Sequence, residues 1–359
     1  MSVVALLLVV VGLALLVAGA ELLVRGAASA ALALGISPLV IGLTVVSYGT
    51  SAPELVTGVI AAARAEPGIV IGNVVGSNIF NVLAILGLAA VLAPLPVDRQ
   101  LLRVDVPLMV ALSLTVWLVC VDGMLAVWEG ALLLAGIVIY TVVTVQRSRR
   151  ASAELEERVG DGLRLELPRR RLVRDGAFVL AGLVLLVWGA AWLVRGATEL
   201  ARVFGVSELV IGLTIVAAGT SLPELATSVV AALRRHTDIA VGNVVGSNIF
   251  NLLAVLGASA TVAGGGVEVS PRAVGFDLPV MVLVAAACVP VFLSGRRVER
   301  WEGILFLLVD LAYLSWLLAT ADASAPPPLA LVLAAFGLPL LGLTWLPWLR
   351  RRPTRTPSA

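Results

Sequence analysis

The chain of 359 residues is 60% hydrophobic and 13% charged, with a mean hydropathy of +1.06. Soluble domains run nearer about 45–50% apolar and about 25% charged, so this composition is that of a membrane protein. It excludes a secreted disulfide scaffold, a nucleic-acid module and a disordered hub. The 25 basic residues, all arginine, nearly balance the 23 acids, and the net charge of +2 selects no partner. Cys120 and Cys288 lie inside apolar runs and read as small core residues, which leaves the redox compartment open.

A spanning helix needs about 20 mostly apolar residues to cross a hydrocarbon core of about 30 Å. Such runs lie near 2–24, 38–63, 69–93, 102–121, 125–146, 174–194, 208–233, 239–263, 273–293, 302–320 and 327–349. The first lacks a basic leader and continues into Glu21 and Arg25, so it reads as a retained helix and not a signal peptide. Runs of this length leave no room for a sizeable soluble domain and are too long for barrel strands. They predict an all-α polytopic membrane protein. With the N-terminus outside, 21 arginines fall on the inner side and four outside, at Arg64, Arg195, Arg202 and Arg272. The eleventh run is needed to return the Arg350–Arg355 tail to the cytoplasm. The hydrophilic stretch 147–172 reads as a solvated connector, with a regulatory ion site as the other reading.

The chain repeats itself. Residues 72–81, GNVVGSNIFN, recur unchanged at 242–251, and LVIGLT at 39–44 recurs at 209–214. One offset of 170 holds from Gly19 and Gly189 to Asn81 and Asn251. Beyond it the register slips slightly: Asp105 matches Asp277, Trp128-Glu129-Gly130 matches 301–303, and Tyr140 matches Tyr313. These matches divide the chain into a first five-helix repeat at 1–146 (motif 39–81), a cytoplasmic connector at 147–173 and a second repeat at 174–320 (motif 209–251). An extra helix and basic tail follow at 321–359. Five is odd, so the second copy crosses the membrane in the opposite sense. The expectation is two inverted-topology repeats, ten helices plus an eleventh, with a site at midplane between the halves.

Both copies carry polar chemistry inside apolar helices. The first reads Gly49-Thr50-Ser51-Ala52-Pro53-Glu54, the second Gly219-Thr220-Ser221-Leu222-Pro223-Glu224. Proline has no N–H and clashes with the carbonyl four residues back, so each helix breaks around Gly49 or Gly219. The freed carbonyls must line a cavity or meet a cation, because they cannot face lipid. Next to each proline stands a carboxylate, which is costly at mid-bilayer. In the following helix Asn73, Ser77 and Asn81 share one face, as do Asn243, Ser247 and Asn251. Ser77, Asn81, Ser247 and Asn251 read as ligands; for Asn73 and Asn243 interhelical bonding stands as the alternative. All the donors are oxygen, which suits hard cations and argues against zinc, copper or iron. One Ca²⁺ neutralises the two carboxylates, as would two Na⁺ or two protons, and a site that must be filled by one set or the other has the logic of an antiporter.

GTSAPEL, GTSLPEL and the paired GNVVGSNIFN segments closely resemble the two repeats of the sodium/calcium exchanger branch of the cation/Ca²⁺ antiporter superfamily, over about residues 1–320. The resemblance implies a ten-helix core that exchanges Na⁺, commonly three, for one Ca²⁺ by alternating access. By position it makes Glu54 and Glu224 the central Ca²⁺ ligands, helped by the Thr50 and Thr220 carbonyls. It gives Na⁺ to Ser51, Ser221, Ser77 and Ser247, and lets Asn81 and Asn251 complete the central site. Ser47 and Ala217, one turn before the breaks, fall in the same set. Potassium-dependent relatives carry an aspartate at the position of Asn251, so the asparagine here argues for K⁺ independence. The eleventh helix lies outside the family core.

The runner-up function is H⁺/Ca²⁺ exchange, because paired glutamates can titrate. A passive cation channel ranks lower, since its acids would form a symmetric ring. Nothing resembles an intramembrane enzyme: there is no HExxH, no Ser–His pair and no aspartate dyad within the spans. Beyond the transported Ca²⁺ and Na⁺ the sequence calls for no cofactor, no nucleic acid and no protein partner, only the lipid bilayer. The expected setting is a bacterial or archaeal plasma membrane.

Overall fold

The computed structural model describes residues 3–159, 169–205, 211, 215 and 217–320. In chain order the helices are α1 (Val3–Leu34), α2 (Pro38–Thr50), α3 (Ala52–Ala63), α4 (Pro67–Leu92), α5 (Leu101–Asp122), α6 (Val127–Val159), α7 (Arg169–Val203), α8 (Ala217–Gly219), α9 (Leu222–Leu233), α10 (Thr237–Val262), α11 (Ala273–Leu293) and α12 (Arg300–Ala319). Eight of them are long and apolar enough to cross a membrane, and α2 with α3 form a ninth, bent by 46° at the break. Most of the segment before α8 and all of the expected eleventh run, 327–349, lie outside the described residues. The chain is thus a helical, polytopic membrane protein.

Helix lengths differ from the hydropathy reading at three places, one of them the far end of α7, which runs to Val203 and not 194 and so takes in Arg195 and Arg202. The first helix runs to Leu34, not 24, so Arg25 lies inside it and not in a loop. Glu21 makes this possible by binding Arg25 one turn on, at 2.6 Å, and Arg234 at 2.9 Å. The segment read as a connector at 147–173 is helical at both ends, because α6 continues through Val159 and α7 starts at Arg169. Charged helical extensions like these carry no apolar signal for a hydropathy window to follow.

Burial sorts the helices into layers. The apolar window of α10 is entirely buried and that of α4 is 78% buried, whereas those of α1, α7 and α12 are each 28% buried. Hence α4 and α10 form the centre, and α1 turns Val3, Leu6, Leu7 and Val10 outward as a lipid-facing surface.

Contacts between the copies are reciprocal. A methyl group added to Gly12 would sit 2.8 Å from the Gly189 carbonyl, and one on Gly19 would sit 2.8 Å from that of Gly182. Since the numbers fall on α7 as they rise on α1, the two helices pack antiparallel, backbone against backbone. Short strands repeat the theme. β1 (Leu95–Pro96) pairs antiparallel with β4 (Arg297–Val298), and β2 (Met124–Leu125) with β3 (Val267–Glu268). The connection before α5 therefore meets the one after α11, and the connection after α5 meets the one before α11.

Candidate cation site

The helix break is built as the sequence requires. Between α2 and α3, Ser51 sits at φ −83°, ψ 9°, and Ser221 before α9 sits at φ −88°, ψ 6°. Both values lie in the sparsely populated bridge region, where active-site residues are common. Pro53 and Pro223 follow within the first turn of α3 and α9, a position where proline's missing N–H costs nothing. Each break therefore delivers its glutamate into the middle of the molecule: Glu54 is 0% and Glu224 1% exposed.

The two breaks interlock. Ser51 Oγ donates to Glu224 Oε1 at 2.7 Å, and Ser221 Oγ donates to Glu54 Oε1 at 3.0 Å. Ser221 also lies 3.1 Å from Ser77 Oγ. Each serine thus holds the other repeat's acid, and the two carboxylates repel each other across the gap. Thr50 is placed beside Glu224 and Thr220 beside Glu54. Thr50 Oγ1 donates to the Ser47 carbonyl at 3.2 Å and to Asn243 Oδ1 at 3.1 Å. Ser47 turns its hydroxyl back onto the Leu43 carbonyl at 2.9 Å. Ala217 opens the short helix α8 that leads to Gly219.

Asn73 and Asn243 serve as braces. Asn73 Nδ2 donates to the Glu54 carbonyl at 2.9 Å, and Asn243 Nδ2 to the Glu224 carbonyl at 3.3 Å. Of the two readings open for this pair, interhelical bonding is the one the contacts match.

Two site residues escaped the sequence reading. Asn81 Nδ2 donates to Asn248 Oδ1 at 3.0 Å, and Asn251 Nδ2 donates to Asn78 Oδ1 at 3.1 Å. Asn78 and Asn248 thereby hold the amide nitrogens of Asn251 and Asn81 and leave their Oδ1 atoms buried without a partner. Both lie within the decapeptide that recurs unchanged, which was the available signal. Asn81 and Asn251 each begin a π-helical turn, Asn81–Leu86 and Asn251–Val255; such turns are rare and cluster at functional sites.

Five buried oxygens at this centre have no hydrogen-bond partner: Glu54 Oε2, Glu224 Oε2, Asn81 Oδ1, Asn251 Oδ1 and Ser247 Oγ. Four of them are acceptors only, and an unsatisfied buried acceptor costs about 1–3 kcal/mol, more when charged. Among the described residues no three His, Cys, Asp or Glu side chains come together. The donor set is therefore carboxylate, amide and hydroxyl oxygen, which fits a hard cation and not a soft transition metal.

Comparison with known proteins gives the family. The family model for sodium/calcium exchanger proteins matches residues 4–146 and 176–319. The chain belongs to the sodium/calcium exchanger family. It is 39% identical over 287 residues to the inner membrane protein YrbG of Escherichia coli (strain K12), covering 77% of this chain and 86% of that protein. It is 31% identical over 304 residues to the sodium/calcium exchanger MaX1 of Methanosarcina acetivorans, covering 76% and 86%. The solved structure of the sodium–calcium exchanger NCX_Mj, soaked with zero Na⁺ and Ca²⁺, matches with a TM-score of 0.76 at 30% identity, over 88% of this chain and 100% of that one. As a member of this family the chain is a transporter of the cation/Ca²⁺ antiporter type.

Proposed function

We propose that this protein exchanges Na⁺ for Ca²⁺ at the centre formed by Glu54 and Glu224, without a requirement for K⁺. The unpaired acceptor oxygens of Glu54, Glu224, Asn81 and Asn251 carry the reading, because each copy of the repeat contributes the same two residues to one buried set. Two carboxylates give the empty site a charge of −2 in a low dielectric, which disfavours crossing the membrane unloaded. Ca²⁺ cancels that charge with one ion and Na⁺ with at least two. Ser77, Ser247 and the serines of the breaks supply neutral oxygens for the smaller charge, and the Thr50 and Thr220 side chains lie beside the acids.

In this reading the copies are inverted repeats of five helices that alternate access about a two-fold axis in the membrane plane. Support comes from the reciprocal pairs: Gly12 with Gly189 and Gly19 with Gly182, Ser51 with Glu224 and Ser221 with Glu54, Asn81 with Asn248 and Asn251 with Asn78. The crossed strand pairing supports it as well, because parallel copies would leave equivalent connections on the same side. The arginine distribution puts the N-terminus outside and the connector and tail in the cytoplasm of a bacterial or archaeal cell.

Uptake of ⁴⁵Ca²⁺ into proteoliposomes tests the coupling. An outward Na⁺ gradient should drive it equally well with and without K⁺. Uptake driven by a pH gradient and indifferent to Na⁺ would make the protein an H⁺/Ca²⁺ exchanger, and single-channel currents would make it a passive channel.

A further inference from the structure

A cavity of about 670 Å³, lined by neither glutamate, lies between α2, α5, α6 and α10. Its volume is within the usual range for ligand sites, about 300–1,000 Å³. Its lining changes character along its length. One end is polar: Asp98 and Asp238 lie at the starts of α5 and α10, and Arg147 and Ser152 lie on α6 beyond its apolar stretch. The remainder is walled by Val104, Leu108, Leu112, Ile139 and Val143.

The dimensions are those of one bilayer leaflet. From Gln100 to Leu112 along α5 is twelve residues, about 18 Å at 1.5 Å per residue. From Arg147 back to Gly136 along α6 is eleven residues, about 16 Å by the same rise. Half of the hydrocarbon core is about 15 Å. Ile139 and Val143 are 63% and 38% exposed, so the apolar wall is open to the side where acyl chains lie.

The charges at the polar end narrow the occupant. Arg147 is exposed and has no carboxylate within 4 Å among the described residues. Asp98 spends one oxygen on the Gln100 amide at 2.6 Å. Asp238 is half-buried and close enough to Asp98 to repel it. One guanidinium beside two carboxylates suits a head group with a phosphate for the arginine and an ammonium for the acids. An anionic head group would set its net charge against Asp98 and Asp238.

We propose that this groove holds one amine-bearing zwitterionic phospholipid, of the phosphatidylethanolamine class, with its phosphate on Arg147, its ammonium between Asp98 and Asp238, and an acyl chain along α5 and α6. The lipid touches the transport machinery indirectly. Leu253 at the groove wall stands two residues after Asn251, and Ser37 and Ser148 tie α2 to α6 through a 2.9 Å hydrogen bond at the polar end. The proposal needs the membrane setting but not the identity of the transported ion, so its test reads lipid retention.

The test is native mass spectrometry of the full chain, delipidated in detergent and titrated with dioleoyl-phosphatidylethanolamine or dioleoyl-phosphatidylglycerol. Wild type should retain one phosphatidylethanolamine, about tenfold in preference to phosphatidylglycerol. Arg147→Gln should lose most of that retention and Asp238→Asn should erase the preference. Val143→Trp, which fills the apolar wall, should abolish retention of both lipids. Equal retention of the two lipids by wild type, or Arg147→Gln and Asp238→Asn behaving as wild type, would overturn the assignment. No retention of either lipid by wild type would overturn it as well. If Val143→Trp does not fold, the two polar variants decide.

Discussion

Ser51 and Glu224 stand 173 residues apart in the chain and share a 2.7 Å hydrogen bond at the centre of the molecule. The mirror relation, Ser221 to Glu54 at 3.0 Å, means that neither repeat completes its own carboxylate site. Each supplies the acid and borrows the hydroxyl. A motion of one repeat against the other must therefore remodel both halves of the cation site together, which is what coupling between two ions requires.

The paired acids give the largest expected effect. Glu54→Gln or Glu224→Gln removes one negative charge from beside a divalent cation, a loss of at least about 4 kcal/mol, which is the value for each unit of cation charge at 4 Å and an effective dielectric of 20. Initial rates of ⁴⁵Ca²⁺ uptake should fall by roughly a thousandfold in either variant, with the purified protein still monodisperse. Near-normal uptake in both would remove the glutamates from the transport site.

Smaller effects are expected at the amide braces. Asn78→Ala and Asn248→Ala each delete the hydrogen bond that orients the Asn251 or Asn81 amide and a longer one to the opposite main-chain carbonyl, each bond worth about 0.5–1.5 kcal/mol. Half-saturating Ca²⁺ should rise by up to about tenfold in each, with little change in the maximal rate. A collapse of the maximal rate instead would show that these amides hold the helices together and do not aim the ligands.

Much of this site was legible before folding. The offset of 170, the proline breaks and the two glutamates are all properties of the chain read in one dimension, and in the structure the serine of each break meets the glutamate of the other. The direction of an amide is not such a property. Asn78 and Asn73 look alike in sequence, yet Asn78 reaches across to Asn251 and to the Asn248 carbonyl of the other repeat while Asn73 holds the Glu54 carbonyl of its own, and no one-dimensional pattern separates the two. Helix lengths failed for a different reason. Glu21 and Arg25 neutralise each other along one face of α1, so the helix continues where hydropathy falls.

Asn251 tests the independence from K⁺. Its Nδ2 donates to Asn78 Oδ1, while its Oδ1 is buried without a partner. Asn251→Asp would set a third negative charge beside Glu54 and Glu224 and face an oxygen of Asn78. Three acids that close cannot all ionise without another cation. The variant should acquire a K⁺ requirement or a steeper loss of uptake toward low pH, both measurable in the same vesicles. A response to K⁺ and pH matching wild type would place Asn251 off the ion path.

The inverted arrangement has its own test. Single cysteines placed at Asp98 and Arg296, in a background without Cys120 and Cys288, should label only from the cytoplasmic side, and those at Met124 and Gly265 only from outside. These positions flank the two crossed strand pairs. Labelling of Asp98 and Gly265 from one side, with Met124 and Arg296 from the other, would rule out inverted repeats.

The packing of α1 on α7 should also be intolerant of bulk. Gly19→Val would press a side chain onto the Gly182 carbonyl, 2.8 Å from the first added carbon. Overpacking of this kind costs about 1–3 kcal/mol. The midpoint of thermal unfolding in detergent should drop, and Gly182→Val should produce a similar drop because the contact is reciprocal. An unchanged midpoint in both would mean that the helices separate without cost.

The central claim is that Ca²⁺ and Na⁺ occupy one oxygen set, and equilibrium binding of ⁴⁵Ca²⁺ to the purified protein at rising Na⁺ tests it most directly. Competition at a shared site predicts that the apparent Kd for Ca²⁺ climbs with more than the first power of Na⁺ concentration, and that the Glu54→Gln, Glu224→Gln double variant binds no Ca²⁺. Ca²⁺ binding that ignores Na⁺, or that survives in the double variant, would contradict it.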